Sequence, residues 1–596
     1  MKKIFFPILL VLAGFAITGC DDLLDAVPKD RLTPDTFFKN ESELKAFSIV
    51  FYEAFPEGEL YVANDDHYTQ NNMSNEEMGK RTIPASGGGW SWGALRNINT
   101  LLENIDHCPD QAARTKYEAL ARFFRAYFYF NKVKRFGDVP WYDKPLGSTD
   151  TEALTRPRDS REFILGKMLE DIDFAIANLP TDKSVYEVTK WTAMALKSEF
   201  CLFEGTFRKY HAGDVFLSTL PSDAHDYKWY LNECAKVSKE FIQTSGYGLH
   251  PDYFALFHTM DATELVDEVI LARNYNKAYG AYHNSGSTMT TGSRGCPSVT
   301  KKLIASYLMK DGSRFTEIQG WETMNFIDET KNRDPRLSQS IRVPGYKRMG
   351  EELTASPDFK VTFSGYHPDK YLTTIDQDTN NASDIDLILW RAAEIYLNYA
   401  EALAEAGELT QADLDMTINL IRKRAGVNAS LSLNDANANP DPFLTDPAWG
   451  GYQSPVLLAD PNMGVILEIR RERAIELCQE GHRYYDLMRW KEGKVFELPF
   501  YGMYFPGPGV YDVDNNGTDD LEIFTETASS KAAATKKLND EIFLTDDQGG
   551  LVWLHKTIIR NWNENKDYLY PIPTDDRNLS KGALTQNPGW EDGLVF

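Results

Sequence analysis

Residues Ser86–Gly93, SGGGWSWG, place two tryptophans two positions apart behind three consecutive glycines. The glycines leave backbone groups open, and indole rings on such a loop are suited to stack on a ligand. Trp90 and Trp92 are therefore expected to meet ligand; the alternative is that one of them anchors the loop in the core. No Gly-Lys-Ser/Thr follows the glycines, so a phosphate cradle is not indicated. Asn64–Tyr68, NDDHY, is a second polar loop in which Asp66 is a candidate hydrogen-bond partner, although turn chemistry accounts for the same residues. Asn274–His283, NYNKAYGAYH, offers Tyr279 and Tyr282, and Trp321 follows Gly320 as a lone loop aromatic. Sites are carried on loops more often than on the elements they join, so each of these residues is a candidate ligand contact.

Bond-breaking chemistry finds little support. His-Glu-x-x-His is absent, Gly292-Ser293-Arg294-Gly295 lacks the spacing of a nucleophile elbow, and the histidines are scattered. Glycoside hydrolysis needs only two carboxylates, and 88 acidic residues leave that alternative open. Asp512–Asp520, DVDNNGTDD, has the spacing of a calcium loop, with Asp512, Asp514, Asn516, Thr518 and Asp520 as candidate ligands and Gly517 at the turn. The twelfth position is Ile523, and Glu522 falls one residue early, so a calcium held outside a helix-loop-helix stands beside an Asx-rich turn without metal. No cofactor is expected to be required.

The first 19 residues read as a secretory leader: two lysines, an apolar run from Ile4 to Ile17, then Gly19-Cys20. That junction resembles a lipoprotein processing site, which makes Cys20 the expected lipid anchor and residues 20–40 a tether. After it no uncharged apolar run approaches the ~18 residues of a membrane span, so the body is expected to be soluble and tethered. The other five cysteines have no CxxC spacing and read as buried thiols. A net charge of −25 argues against nucleic acid and anionic lipid as partners, and against an acidic substrate unless a local basic patch exists.

Helices must position the loops. Lys116–Gly137 puts Leu120, Phe123, Tyr127 and Phe130 on one face and ends in a basic turn with Gly137 beyond it. Further helices are predicted near 160–179, 189–205, 229–244 and 298–310. Trp390–Gly426 reads as a helical hairpin with the small-residue stripe Ala393, Leu397, Ala400, Ala404. Val465–Trp490 reads as one helix whose apolar stripe includes Arg470 and Arg473; half-buried guanidiniums there need carboxylate partners, as a scaffold ion-pair network or as a ligand-anion site. The long polar stretches 56–92, 272–297, 311–386, 427–464 and 500–550 are functional loops or carry small sheets.

Five segments together resemble one family: CDDLLDAVP, ARFFRAYFYFNKVKRFGDVPW, RAAEIYLNYAEALAEAGE, RRERAIELCQEGHRYYDLMRWKEG and YLYPIPTDDRNLSKGALTQNPGW. In that order they are similar to the SusD/RagB outer-membrane nutrient-binding lipoproteins. The resemblance implies a mostly α fold, with an irregular tetratricopeptide-like helical scaffold and a loop-rich second half carrying small β elements. It implies a single domain over 41–596, with a helical part over about 41–250 and a C-terminal part over about 265–596. It also implies a cell-surface protein at the outer membrane, directed outward by Asp21, Asp22 and Asp25, that captures oligosaccharide or polysaccharide, or in some members peptide. The implied partner is a SusC-like TonB-dependent transporter. Sugar rings fit the aromatic loops, since their C–H faces pack on Trp and Tyr while hydroxyls need polar partners.

Overall fold

The computed structural model describes residues 37–58, 65–147 and 150–596; the leader, Cys20, the tether up to residue 36 and Asn64 lie outside the described residues. Among the described residues helix accounts for 44% and the strands are short, so the architecture is mostly α. The principal helices of the first half are α1 Glu41–Ser48, α2 Gly93–Asn104, α3 Gln111–Phe136, α4 Arg161–Asn178, α5 Lys190–Tyr210 and α6 Tyr227–Thr244. Asp110 starts α3 by accepting the Ala112 and Ala113 amides, and Gly137 stops it at φ 71°, a conformation that disfavours any side chain. Helix α5 is buried along most of its length between α4 and α6. Gly205 makes the close contact possible: a Cβ there would stand 2.8 Å from the Leu231 side chain of α6.

In the second half, α7 Ala392–Ala406 packs against α5 and α6, is buried almost all round including Ala393, Leu397, Ala400 and Ala404, and ends at Gly407, φ 80°. The hairpin's second arm is not one helix; Gln411–Asp415 is followed by α8, Ile418–Ala425. The long helix expected over 465–490 is also interrupted. It forms α9 Met463–Glu476 and α10 Arg483–Arg489, with Gln479 and Gly481 at φ 59° and 83° between them. Side chains satisfy the carbonyls that the break releases: Tyr253 Oη and Arg391 Nη2 donate to Glu476 O at 2.9 and 2.8 Å, and Lys370 Nζ to Cys478 O at 2.8 Å. Periodicity cannot show such a break, because its partners come from elsewhere in the chain. The helix expected at 298–310 is confined to Lys301–Ser306.

The strands are small. β1 Tyr68–Thr69 pairs β3 Ser298–Val299, and β2 Val269–Arg273 runs antiparallel to β4 Leu387–Arg391, with Arg273 opposite Leu387. Trp390, expected in the hairpin, lies in β4. β5 Phe500–Phe505 pairs β9 Gly550–Leu554, and β6 Gly509–Tyr511, β7 Leu521–Phe524 and β8 Ala534–Lys537 form a three-stranded sheet. One hydrophobic cluster runs from Phe38 to Leu584 through helical and loop-rich parts alike. Among the described residues no helix is long and apolar enough to cross a membrane. Cys108, Cys201, Cys234 and Cys478 are buried free thiols, and Cys296 is a half-buried one.

Candidate functional site

Arg470 and Arg473 belong to a buried ion-pair scaffold. Arg470 donates to Glu405 at 3.1 Å across to α7, and Arg473 to Asp486 at 2.8 Å and Asn398 at 2.7 Å. The scaffold continues through Glu476, whose carboxylate accepts from Arg391 at 2.6 Å, Arg336 at 2.8 Å and Arg424. Burial alone would raise the Glu476 carboxyl; Arg424, Arg391 and Arg336 instead hold it well below the usual carboxylate range. Each of these arginines has a carboxylate partner within the protein, and Arg470, whose Nε and Nη1 have no hydrogen-bond partner, lies over the Tyr210, Tyr452 and Trp490 rings, so the arginines tie helices together.

Three of the residues expected to meet ligand are buried. Asp66 is 0% exposed and fully engaged: Arg483 donates to it at 2.7 and 2.9 Å and Lys302 Nζ also binds it. It lies beside Asp65 and His67, a grouping with metal-ligand character, but Arg483 and Lys302 already supply the positive charge a metal would bring. Trp90 is 4% exposed with its ring edge-on to Phe136 at 4.8 Å. Trp321 is 6% exposed among Phe315, Phe443 and Trp449. Burial removes these three from a ligand's reach: the two indole rings are packed on neighbouring aromatics, and the Asp66 carboxylate is already paired. Trp92 is half-buried, edge-on to Trp90 and Tyr142.

The glycine loop that carries these tryptophans is tied down by the basic end of α3. Lys132 Nζ donates to Gly89 O at 2.5 Å and Ser91 O at 2.7 Å, and Arg135 Nε to Gly88 O at 3.0 Å. The cations expected to complement their own helix terminus instead close the loop over it. Burial, with the neighbouring Arg135, pushes the Lys132 ammonium down to about 7.

Tyr279 and Tyr282 are the exposed members of the candidate set, at 88% and 43%. They sit on a turn closed by the Asn276–Ala281 bridge and held by the Asp384 carboxylate on the Lys277 amide at 3.1 Å. The turn leaves directly from β2, and β2 forms the wall of a groove. That groove, about 440 Å³, is lined by Lys45, Ile49, Tyr52 and Glu53 from α1 and the turn after it, Lys116 and Tyr117 of α3, Tyr186 and Glu187 before α5, and Arg273 and Asn274. Its volume lies in the range of small-ligand sites. Its base is apolar, through Phe55, Leu120 and Leu179, and its rim is polar. Tyr52 is fixed by the Val188 amide donating to its hydroxyl at 3.0 Å, and Tyr186 by its bonds to Asp386 at 2.5 Å and Asp261 at 2.8 Å. Sequence reading missed this groove because four distant segments build it. The available signal was Lys45, Ile49 and Tyr52 at i, i+4, i+7, one helix face that mixes charge, exposed aliphatic and aromatic residues.

In the calcium-like loop, Asp512, Asp514 and Asp520 each bring a carboxylate oxygen within 4.8 Å of the others. That span is about twice a ~2.4 Å calcium–oxygen bond, so one ion between them would fit. Burial and the neighbouring Asp520 push the Asp514 carboxyl up. Asn516 and Thr518 are used locally, since the Asn516 amide oxygen accepts the Thr518 N–H at 2.8 Å. Glu522 is not available to complete the set. It accepts from the Ser529 and Ser530 amides, each at 2.8 Å, and from both hydroxyls, which hold its carboxyl down to about 2.

The helical scaffold thus carries an aromatic, polar-rimmed groove beside the loop that bears Tyr279 and Tyr282. Comparison with known proteins gives the family. The SusD family profile matches residues 267–590, and a second profile, described as starch-binding and associating with the outer membrane, matches residues 59–195. The chain belongs to the SusD family. It is 23% identical over 546 residues to SusD-like protein P25 of Formosa agariphila, covering 82% of this chain and 90% of that one. It is 22% identical to a SusD-like protein of Bacteroides ovatus, covering 81% and 82%. In structure it resembles a SusD-like carbohydrate binding protein of Bacteroides fragilis, with TM-score 0.66, 21% identity, and coverage of 91% of this chain and 99% of that one.

Proposed function

We propose that this chain is a non-catalytic, cell-surface glycan-binding lipoprotein. It is anchored through Cys20 and delivers oligosaccharide to a TonB-dependent transporter. The groove carries the reading: the half-buried Tyr52 and Tyr186 rings offer apolar faces for sugar C–H groups, while Lys45, Glu53, Lys116, Glu187, Arg273 and Asn274 offer hydroxyl partners. Tyr279 and Tyr282 extend the same surface past the end of β2. The family's described association with starch binding and the outer membrane, and the carbohydrate binding attributed to the Bacteroides fragilis relative, point the same way.

The test is affinity electrophoresis of the full chain in detergent, through gels cast with a panel of polysaccharides. Tyr52→Ala and the exposed, fold-neutral Ile49→Ala are expected to reduce retardation by the preferred glycan. Tyr279→Ala/Tyr282→Ala should weaken binding by about 2- to 10-fold, the worth of one or two stacked rings. Retardation unchanged in all three variants would sink the assignment of this site. Glu53 and Glu187 both line the groove, which keeps hydrolysis as the rival. Release of reducing ends that stops in Glu53→Gln would establish it.

The reading includes a structural calcium at Asp512, Asp514 and Asp520. At calcium tenfold above its dissociation constant, the folded state should gain about 1.4 kcal/mol. A thermal-shift comparison with and without chelator measures it, and Asp512→Asn/Asp514→Asn should abolish the difference. No shift in the unaltered chain would leave the loop as an Asx-rich turn.

A further inference from the structure

We infer that Asp386 is a positioning residue: it holds the groove wall and the tyrosine turn at one fixed separation, so that an oligosaccharide long enough to touch both is preferred over a shorter one. This rests on the groove being the glycan site. Asp386 stands immediately before β4 and is 4% exposed. Its Oδ1 accepts the Tyr275 N–H at 2.7 Å, at the root of the turn that carries Tyr279 and Tyr282. Its Oδ2 accepts the Ala262 N–H at 2.9 Å and lies 2.5 Å from Oη of Tyr186, a half-buried ring of the groove wall. One buried side chain thus touches both parts of the proposed surface. Asn274 lines the groove and Tyr279 follows five positions on, so their backbones are at most about 18 Å apart, a span that several linked sugars cover. Holding both parts in place beforehand leaves less ordering to offset when such a chain binds.

The same stretch fixes the rest of the turn. Ser383 and His283 exchange backbone hydrogen bonds at 2.8 and 3.2 Å, Asp384 accepts the Lys277 N–H at 3.1 Å, and the His283 ring bonds Ile385 O at 2.9 Å. Asp386 adds the link to Tyr186. The backbone beside that ring is already set, since the Ala272 N–H donates to Val185 O at 2.7 Å, so the hydroxyl fixes the ring itself. That hydroxyl has one hydrogen and two carboxylates in reach, Asp386 and, at 2.8 Å, Asp261. Among the described residues no lysine, arginine or histidine pairs with Asp386, and burial pushes its carboxyl up. An uncharged group that donates to Tyr186 Oη therefore suits the place of the Asp386 carboxyl, with Tyr186 giving its own hydrogen to Asp261.

Isothermal titration of the full chain in detergent tests this with a trisaccharide and an octasaccharide cut from the polysaccharide that most retards the chain in affinity electrophoresis. Asp386→Ala is expected to weaken the octasaccharide about tenfold and bring it close to the trisaccharide. Tyr186→Phe, which touches the groove wall only, should weaken both probes by a similar factor. Asp384→Ala frees the turn only and should weaken the octasaccharide alone. The conservative Asp386→Asn should restore most of the affinity, because its amide oxygen accepts the Tyr275 N–H and its amide nitrogen donates to Tyr186. Thermal unfolding of each variant separates a loss of folding from a loss of binding. Octasaccharide binding that Tyr52→Ala weakens and Asp386→Ala leaves unchanged would overturn the positioning role and leave the groove reading intact. So would equal weakening of both probes by Asp386→Ala. If Asp386→Ala does not fold, Tyr186→Phe and Asp384→Ala carry the same test, and the same effect of both on the two probes would overturn the proposal. Binding indifferent to Tyr52→Ala and Tyr279→Ala/Tyr282→Ala, or no retardation by any polysaccharide, would overturn the groove reading and the positioning role with it.

Discussion

Glu476→Gln is expected to destabilise the folded chain by about 3–5 kcal/mol or more, the cost of breaking a buried ion pair by removing one partner. The side chain is 0% exposed and its two oxygens receive Arg391, Arg424 and Arg336 together. Glutamine keeps the shape but removes the charge, so three guanidiniums lose a shared counter-ion in a region water does not reach. Arg336 keeps Asp334 and Glu472, Arg391 keeps Glu268 and Glu480, and Arg424 keeps Glu268, so the cost is that of the one negative charge all three share. The exposed pair Lys167–Glu170 has similar geometry at 2.8 Å, and Glu170→Gln should cost no more than about 1 kcal/mol. Denaturant unfolding of both variants measures the contrast. Equal, small effects would show that solvent reaches the Glu476 cluster.

Trp90→Ala should cost about 3–5 kcal/mol, the range for truncating a buried aromatic. Its ring packs edge-on against Phe136 and Trp92 at 4.8 and 5.3 Å, and the loop that carries it is clamped by Lys132 and Arg135. Trp90→Phe should restore much of that stability. Trp92→Ala, at a half-buried position, should cost less. Thermal unfolding of the three variants, run beside glycan titration, separates a structural tryptophan from a binding one. Glycan affinity lost in Trp90→Ala with the unfolding midpoint unchanged would return Trp90 to the ligand.

Part of the fold was legible because its signals are local. Gly137 ends one helix where expected, although that helix begins at Gln111, a turn before the expected Lys116; Gly407 ends another, and five ordered segments point to the family. The same local reading ran past the break after Glu476. Its carbonyls are capped by Tyr253, Lys370 and Arg391, residues far away in sequence. Site reading fared unevenly for a related reason. A loop aromatic looks the same in sequence whether its ring faces water, as Tyr279 does, or is packed like Trp90 and Trp321.

What the sequence by itself determined is the class: helical periodicity, capping residues and the family segments are written along the chain and survive without any tertiary contact. Only the tertiary structure brought the groove together. The groove joins α1, α3, the turn before α5 and β2, and it exists because α1 packs on α3 while β2 pairs with β4. Burial and proximity are properties of that assembly, and no local pattern of residue types encodes them.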